Sequence, residues 1–130
     1  MGTTNPAASA LVLSARERRT RGDFNGAMAD YAKAIELQPD FAVAYNARGY
    51  AWHLLHNYAA AIDDLSRAIR LNPNYANAYQ IRALAKKGAG DVPGAAADAQ
   101  RARDLIGSLN SNRRTSGIGT ADRIRQPGRQ

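Results

Sequence analysis

Along this chain, small and large apolar residues return at intervals of 34 positions. Leu37-Gln38-Pro39-Asp40-Phe41-Ala42 is echoed by Leu71-Asn72-Pro73-Asn74-Tyr75-Ala76, and self-similarity at such a period marks an array of supersecondary units. With Ala8, Ala42 and Ala76 as first positions, three units span residues 8–41, 42–75 and 76–109. The eighth position then holds Ala15, Gly49 and Ala83, the twentieth Ala27, Ala61 and Ala95, and the twenty-seventh Ala34, Ala68 and Ala102. Large residues recur beside them: Leu11, Tyr45 and Tyr79 at the fourth position, Phe24, Tyr58 and Val92 at the seventeenth, Leu37, Leu71 and Leu105 at the thirtieth. Small residues on facing helices let two axes approach to about 8–10 Å while large ones fill the grooves alongside. Each unit therefore reads as a helical hairpin.

The breaks support this. Gly22-Asp23, His56-Asn57 and Gly90-Asp91 each pair a residue tolerant of a left-handed turn with an N-capping Asp or Asn. Pro39 and Pro73 close the first two units, since proline cannot continue a helix. The pattern predicts helices near 8–21, 24–37, 42–55, 58–71, 76–89 and 92–106, preceded by a flexible segment 1–7 and followed by a tail 110–130.

The small residues at the eighth, twentieth and twenty-seventh positions, with proline at the thirty-second, resemble the tetratricopeptide repeat family. The resemblance covers residues 8 to about 107. The middle unit matches best, through Tyr45, Gly49, Trp52, Tyr58, Ala61, Leu65, Ala68 and Pro73. In the outer units Ser14 and Arg18 take semi-apolar sites, Lys86, Ala99 and Arg103 thin the core, and Gly107 stands in place of proline. The resemblance implies an all-α, right-handed superhelical solenoid of three hairpins, without chemistry of its own. It also implies a concave groove, lined by the first helix of each hairpin, that binds segments of partner proteins.

The family's groove positions fall here on Ser9, Val12, Arg16, Arg19 and Thr20, on Val43, Asn46, Tyr50, His53 and Leu54, and on Asn77, Gln80, Leu84, Lys87 and Gly88. No acid stands among them, so the groove is expected to take an acidic or carboxylate-bearing peptide. Arg16, Arg19 and Lys87 would supply charge, Asn46, Asn77 and Gln80 hydrogen bonds to its backbone, and Val12, Val43, Tyr50, Leu54 and Leu84 apolar pockets. The family's carboxylate clamp for chaperone tails needs two Lys, one Arg and two Asn at positions that carry Val12, Arg16, Ala47, Asn77 and Ile81 here. None matches, so that clamp is not expected. A planar guanidinium from Arg16 or Arg19 remains suited to a carboxylate in another geometry.

Composition agrees with a helical module. Alanine numbers 27 of 130 residues, and it is the strongest helix former. The chain has no cysteine and only His53 and His56 as imidazoles, which leaves no thiolate site and no third ligand for a metal. No cofactor, metal or catalytic role is expected. His53 is a candidate for pH-dependent binding, His56 a turn residue, Trp52 inter-helix packing, and Asp63-Asp64 a solvated acidic pair.

The net charge of +7 lies mostly beyond the repeats: residues 107–130 hold Arg113, Arg114, Arg123, Arg125 and Arg129 against Asp122. With little apolar content this tail is expected to be disordered, a solubilising extension in preference to a basic arm for nucleic acid. No stretch is long and apolar enough for a membrane span, and the absence of cysteines and of a signal-like start suits the cytoplasm. The helix near 92–106 is left without a following neighbour, so a second copy, a partner or a continuation of the array outside this chain is expected to cover it. The composite expectation is a non-catalytic adaptor; its alternative is a basic nucleic-acid-associated protein with the repeats as scaffold.

Overall fold

A computed structural model describes residues 3–125, with side chains as far as Ser111. Six helices follow one another: α1 (Pro6–Thr20), α2 (Phe24–Leu37), α3 (Ala42–Leu54), α4 (Tyr58–Leu71), α5 (Ala76–Gly88) and α6 (Val92–Arg125). The turns within each hairpin have the chemistry that the sequence implies. Gly22, His56 and Gly90 all adopt positive φ, at 87°, 63° and 91°, and the next side chain caps the following helix. The carboxylates of Asp23 and Asp91 and the amide oxygen of Asn57 accept from the N–H groups of Gly26, Gly94 and Ala60.

Two ends differ from the sequence expectation. The segment 1–7 is not wholly outside the fold, because α1 begins at Pro6, a residue suited to the first helical turn. Asn5 caps it by accepting from Ala7 and Ala8, and its own N–H donates to Gln38 Oε1 at 2.7 Å, tying the start of the chain to the end of α2. At the other end, α6 does not stop near 106 but continues as backbone helix to Arg125. The residues from Gly107 onward include no proline before Pro127, so nothing forces a break. Residues 126–130 and the Arg113–Arg125 side chains, on which the nucleic-acid alternative rests, lie outside the described residues and side chains.

Contacts between helices define the curvature. Each helix packs on its hairpin partner, α2 on α3 and α4 on α5, while α1, α3 and α5 touch one another in series. Among the described residues the second helices α2, α4 and α6 make no such contact with each other. An array whose first helices touch and whose second helices splay must bend, with α1, α3 and α5 on the concave side. All nine small repeat positions are buried. They form the contact surface of each hairpin, and the apolar clusters extend across the seams: Val12, Tyr31 and Ala44 belong to one, Tyr45, Leu65 and Ile81 to the next, and Ile35 packs against both.

A polar latch recurs at the edge of each hairpin. Asp30, Asp64 and Asp98 occupy one repeat position, and the residue sixteen before each is its partner. Ser14 donates to Asp30 at 2.8 Å, while Arg48 and Arg82 make bidentate pairs with Asp64 and Asp98 with shortest contacts of 2.7 Å. Arg18 reinforces Asp30 and Lys86 reinforces Asp98, each at 3.1 Å. The expectation that Asp63-Asp64 is a solvated pair is therefore half corrected: Asp63 is exposed, but Asp64 is buried and paired. The reason is tertiary, since the Arg48 fork reaches it from the facing helix.

Two outcomes follow from this packing. Leu65 is fully buried, so Leu65→Ala should cost about 2–5 kcal/mol in urea denaturation. Burial alone would raise the Asp98 pKa, but Arg82 and Lys86 outweigh it and hold the carboxyl below its ordinary 3.8. A depressed folded-state pKa contributes stability that is full above the ordinary value and is lost as pH falls through the folded value. Asp98→Asn should therefore be less stable than the parent near neutrality and show a shallower loss of stability on acidification, measured by denaturation at about pH 7 down to about pH 3.

Candidate functional site

The concave side holds a hollow of about 310 Å³ built where three successive first helices converge. Arg16 and Arg19 come from α1, Asn46, Ala47 and Tyr50 from α3, Asn77 and Ile81 from α5, and Tyr31 reaches in from α2. The helical spacing explains the set: positions three or four apart share a face, so Arg16 with Arg19, Asn46 with Tyr50, and Asn77 with Ile81 each present one face to the groove.

The hollow is cationic and partly aromatic. The Arg19 guanidinium lies 5.0 Å over the Tyr50 ring, a cation–π contact that holds its long side chain across the α1–α3 seam. The Asn46 amide donates to Asn77 Oδ1 at 2.9 Å, joining α3 to α5 across the next seam. Burial pushes the Tyr31 phenol above its ordinary pKa of 10.0, against the opposing influence of Arg19 and Arg16. Tyr75 behaves likewise, raised by burial and opposed by Arg16 and by the Asn46 amide. Both phenols are therefore neutral near neutral pH and can donate. No acidic side chain lines the hollow.

Of the residues expected in the groove, Arg16, Arg19, Asn46, Tyr50 and Asn77 are brought together. Val12 is not a groove pocket, because at 2% exposure it is part of the core between α1, α2 and α3. Val43 is half-buried against the same cluster. His53 stands beyond the hollow, its ring 6.5 Å from Tyr50 and 5.6 Å from Tyr58, so it extends an aromatic row along the groove wall. Leu54 and Lys87 are exposed farther along the first helices.

Gln80 and Leu84 belong to a second, more open hollow of about 460 Å³ between α5 and α6, together with Asn77, Ala83, Ala99 and Arg103. Leu84 is half exposed there. This hollow exists because the twenty-fourth repeat position, filled by Tyr31 and Leu65 in the first two units, holds only Ala99 in the third. Arg103 likewise stands where the earlier units have Ile35 and Ile69. The outward face of α6 is thus smaller and more polar than its counterparts.

Tyr31 is the residue that groove-position reasoning misses, because it sits on a second helix in a core position. The one legible signal is its hydroxyl, a polar atom where the equivalent positions carry Leu65 and Ala99. It is fully buried, with the Arg19 side chain as the polar group beside its hydroxyl.

A family model described as TPR repeat matches residues 15–56, and one described as Tetratricopeptide repeat matches residues 42–75. The chain is a tetratricopeptide-repeat protein. Solved tetratricopeptide-repeat structures share its shape. The TPR2B domain of yeast Sti1, in a complex with pHsp70, is 26% identical, aligns over 89% of this chain and 93% of its own, and superposes with a TM-score of 0.78. The first TPR domain of human RPAP3 is 24% identical over 92% of this chain and 97% of its own, with a TM-score of 0.76. The first TPR of Spaghetti (RPAP3), bound to the HSP90 peptide SRMEEVD, is 24% identical over 91% and 99%, also at 0.76. No curated protein matches the chain.

Among the described residues of this tetratricopeptide-repeat chain, no group of three or more His, Asp or Glu is placed to hold a metal ion, and no helix is long and apolar enough to cross a membrane. The Tyr31 hydroxyl lies beside the Arg19 side chain, which opposes the burial-driven rise of its pKa without meeting full hydrogen-bond geometry, so its removal should cost the fold little. Tyr31→Phe is expected to keep its melting temperature or raise it slightly, whereas a hydroxyl with a structural bond would cost about 1 kcal/mol. Thermal unfolding of the two proteins distinguishes these outcomes.

Proposed function

We propose that this protein is a non-catalytic adaptor whose concave groove takes an acidic, carboxylate-bearing segment of a partner protein. The observation that carries this reading is the hollow itself: two arginines, two amides and two tyrosines converge there from three repeats with no acid among them. A cationic concavity attracts anionic segments and concentrates them at its surface. The touching first helices give an extended groove and not an isolated pit, which suits a peptide in extended form. Peptide complexes in similar folds support the same class of partner, with pHsp70 on yeast Sti1 and SRMEEVD on Spaghetti.

The residues that would meet the peptide are Arg16, Arg19, Tyr31, Asn46, Tyr50 and Asn77. Arg16 is exposed at the rim, so it would guide the approach, while Arg19 is half-buried and held by Tyr50, so it would bind with less loss of side-chain freedom. Gln80, Leu84 and Lys87 would continue the contact toward the third repeat.

Capture of partners from nuclease-treated lysate at about 150 mM salt tests this reading, because exposed phosphate-driven binding weakens steeply with salt. The parent and a control Lys33→Glu, on an exposed site of α2, should capture the same proteins, and Arg16→Glu should lose them by roughly tenfold, as expected for removal of a charge-assisted contact. If folded Arg16→Glu captures its partners as well as the parent does, the groove is not the binding surface.

A further inference from the structure

Each later hairpin is received by the one before it through a fixed set of positions. Ala44, Ala47 and Ala51, the third, sixth and tenth residues of the second unit, join one apolar cluster with Tyr31 and Ile35 of α2. Ala78, Ile81 and Ala85 hold the same positions in the third unit and join the next cluster with Leu65 and Ile69 of α4. None of these six first-helix residues is more than 8% exposed. Such a seam is the nearest-neighbour interface that stacks a solenoid.

The two halves of this seam recur, exposed, at opposite ends of the array. On α1 the three donor positions carry Ala10, Leu13 and Glu17, all exposed, Leu13 at 64%. On α6 the receiving positions carry Ala99 and Arg103, which line the open hollow beside Leu84. Their departures from the inner seams match one another. Inside the array the first helix brings the smaller residue and the second helix the larger, Ala47 with Tyr31 and Ile81 with Leu65. At the ends this is reversed, Leu13 being large and Ala99 small. Where the inner seams have Ala51 with Ile35 and Ala85 with Ile69, the ends have an acid, Glu17, and a base, Arg103.

We propose that copies of this chain stack end to end, the α1 face of one copy docking on α5 and α6 of the next in the register of an inner seam. Leu13 enters the hollow beside Ala99 and Leu84, and the Glu17 carboxylate meets the Arg103 guanidinium. Both charges are available for this. Glu17 pairs with Arg21 one turn on at 3.3 Å, with both side chains about two-thirds exposed, a contact worth little in water. Arg103 donates to the Gln100 amide oxygen at 2.7 Å and meets no carboxylate among the described residues. A second copy is the occupant because this chain itself carries both the size and the charge complement. The contact is heterologous, so copies add in series, and the concave groove continues from one copy to the next. Neither Glu17 nor Arg103 lines the hollow at Arg19 and Tyr50, so stacking and peptide binding are separately testable.

The test is sedimentation equilibrium of the full chain from micromolar to millimolar concentration, where the mass is expected to rise beyond two chains. Glu17→Arg and Arg103→Glu each set like charges against one another across the contact, and each alone should weaken association about tenfold or more. Both substitutions in one chain reverse the pair and should restore association. The two single variants mixed as separate proteins should also associate, because each altered end then faces an end of opposite charge on the other protein. Leu13→Ala should weaken association about tenfold through lost apolar burial. Arg21→Gln, which removes the intrahelical partner of Glu17 and leaves Glu17 in place, should associate like the parent. All four sites are exposed, and thermal unfolding of each variant verifies that it is folded.

A mass of one chain across the whole range would overturn the proposal and leave the α6 hollow to a different occupant. A mass that stops at two chains would overturn it as well, since a heterologous contact does not close between two copies. Folded Glu17→Arg that associates like the parent, or a mixture of the two reversals that stays apart, would show that Glu17 and Arg103 do not meet.

Discussion

The close approach of helices within each hairpin is the constraint on which the structure depends. At the eighth, twentieth and twenty-seventh positions of every unit the side chain is Ala or Gly and is buried. A bulkier residue there would push the two axes apart. Gly49 shows how little room is left, because a Cβ on it would come within 2.7 Å of Leu65 Cγ. With the helices this near, the large residues must pack to either side of the contact, and that packing creates the seams that stack one hairpin on the next.

Stacking then decides where polar groups go. On one edge, the facing helices of a hairpin bring a carboxylate and a donor to bonding distance in each unit, from Ser14 with Asp30 to Arg82 with Asp98. Each latch is satisfied and partly buried, so it fixes the register of the hairpin as well as adding stability. On the concave side the same stacking brings Arg19 over Tyr50 and Asn46 to Asn77. The latches join the two helices of one hairpin, whereas these concave contacts join one hairpin to the next.

The third unit departs from the other two in the direction of solvent. Ala99 and Arg103 replace the large apolar residues of the equivalent positions in the first two units. The outer face of α6 therefore carries less apolar surface than its counterparts, and the apolar hollow beside Leu84 is what remains of the seam.

The fold was legible in the sequence because its determinants are local and periodic. The 34-residue repeat, the positive-φ turn residues and the caps each act within a few residues of where they are written, so chain order alone placed the helices and their hairpins. Two further local signals lie in the sequence: Asn5-Pro6 as a helix start, and the lack of any proline between Gly107 and Pro127 to stop α6 near 106. The groove was only partly legible. Periodicity assigned Arg16, Arg19, Asn46, Tyr50 and Asn77 to one side, but it gave no means to see that Val12 turns into the core or that Gln80 and Leu84 line a different hollow. Nor did it distinguish Asp64, clasped by Arg48, from its exposed neighbour Asp63. Which polar atoms find partners depends on distances between helices that are far apart in sequence. For that reason the placement of the buried Tyr31 hydroxyl beside Arg19, from a core position on a second helix, was decided by tertiary packing alone.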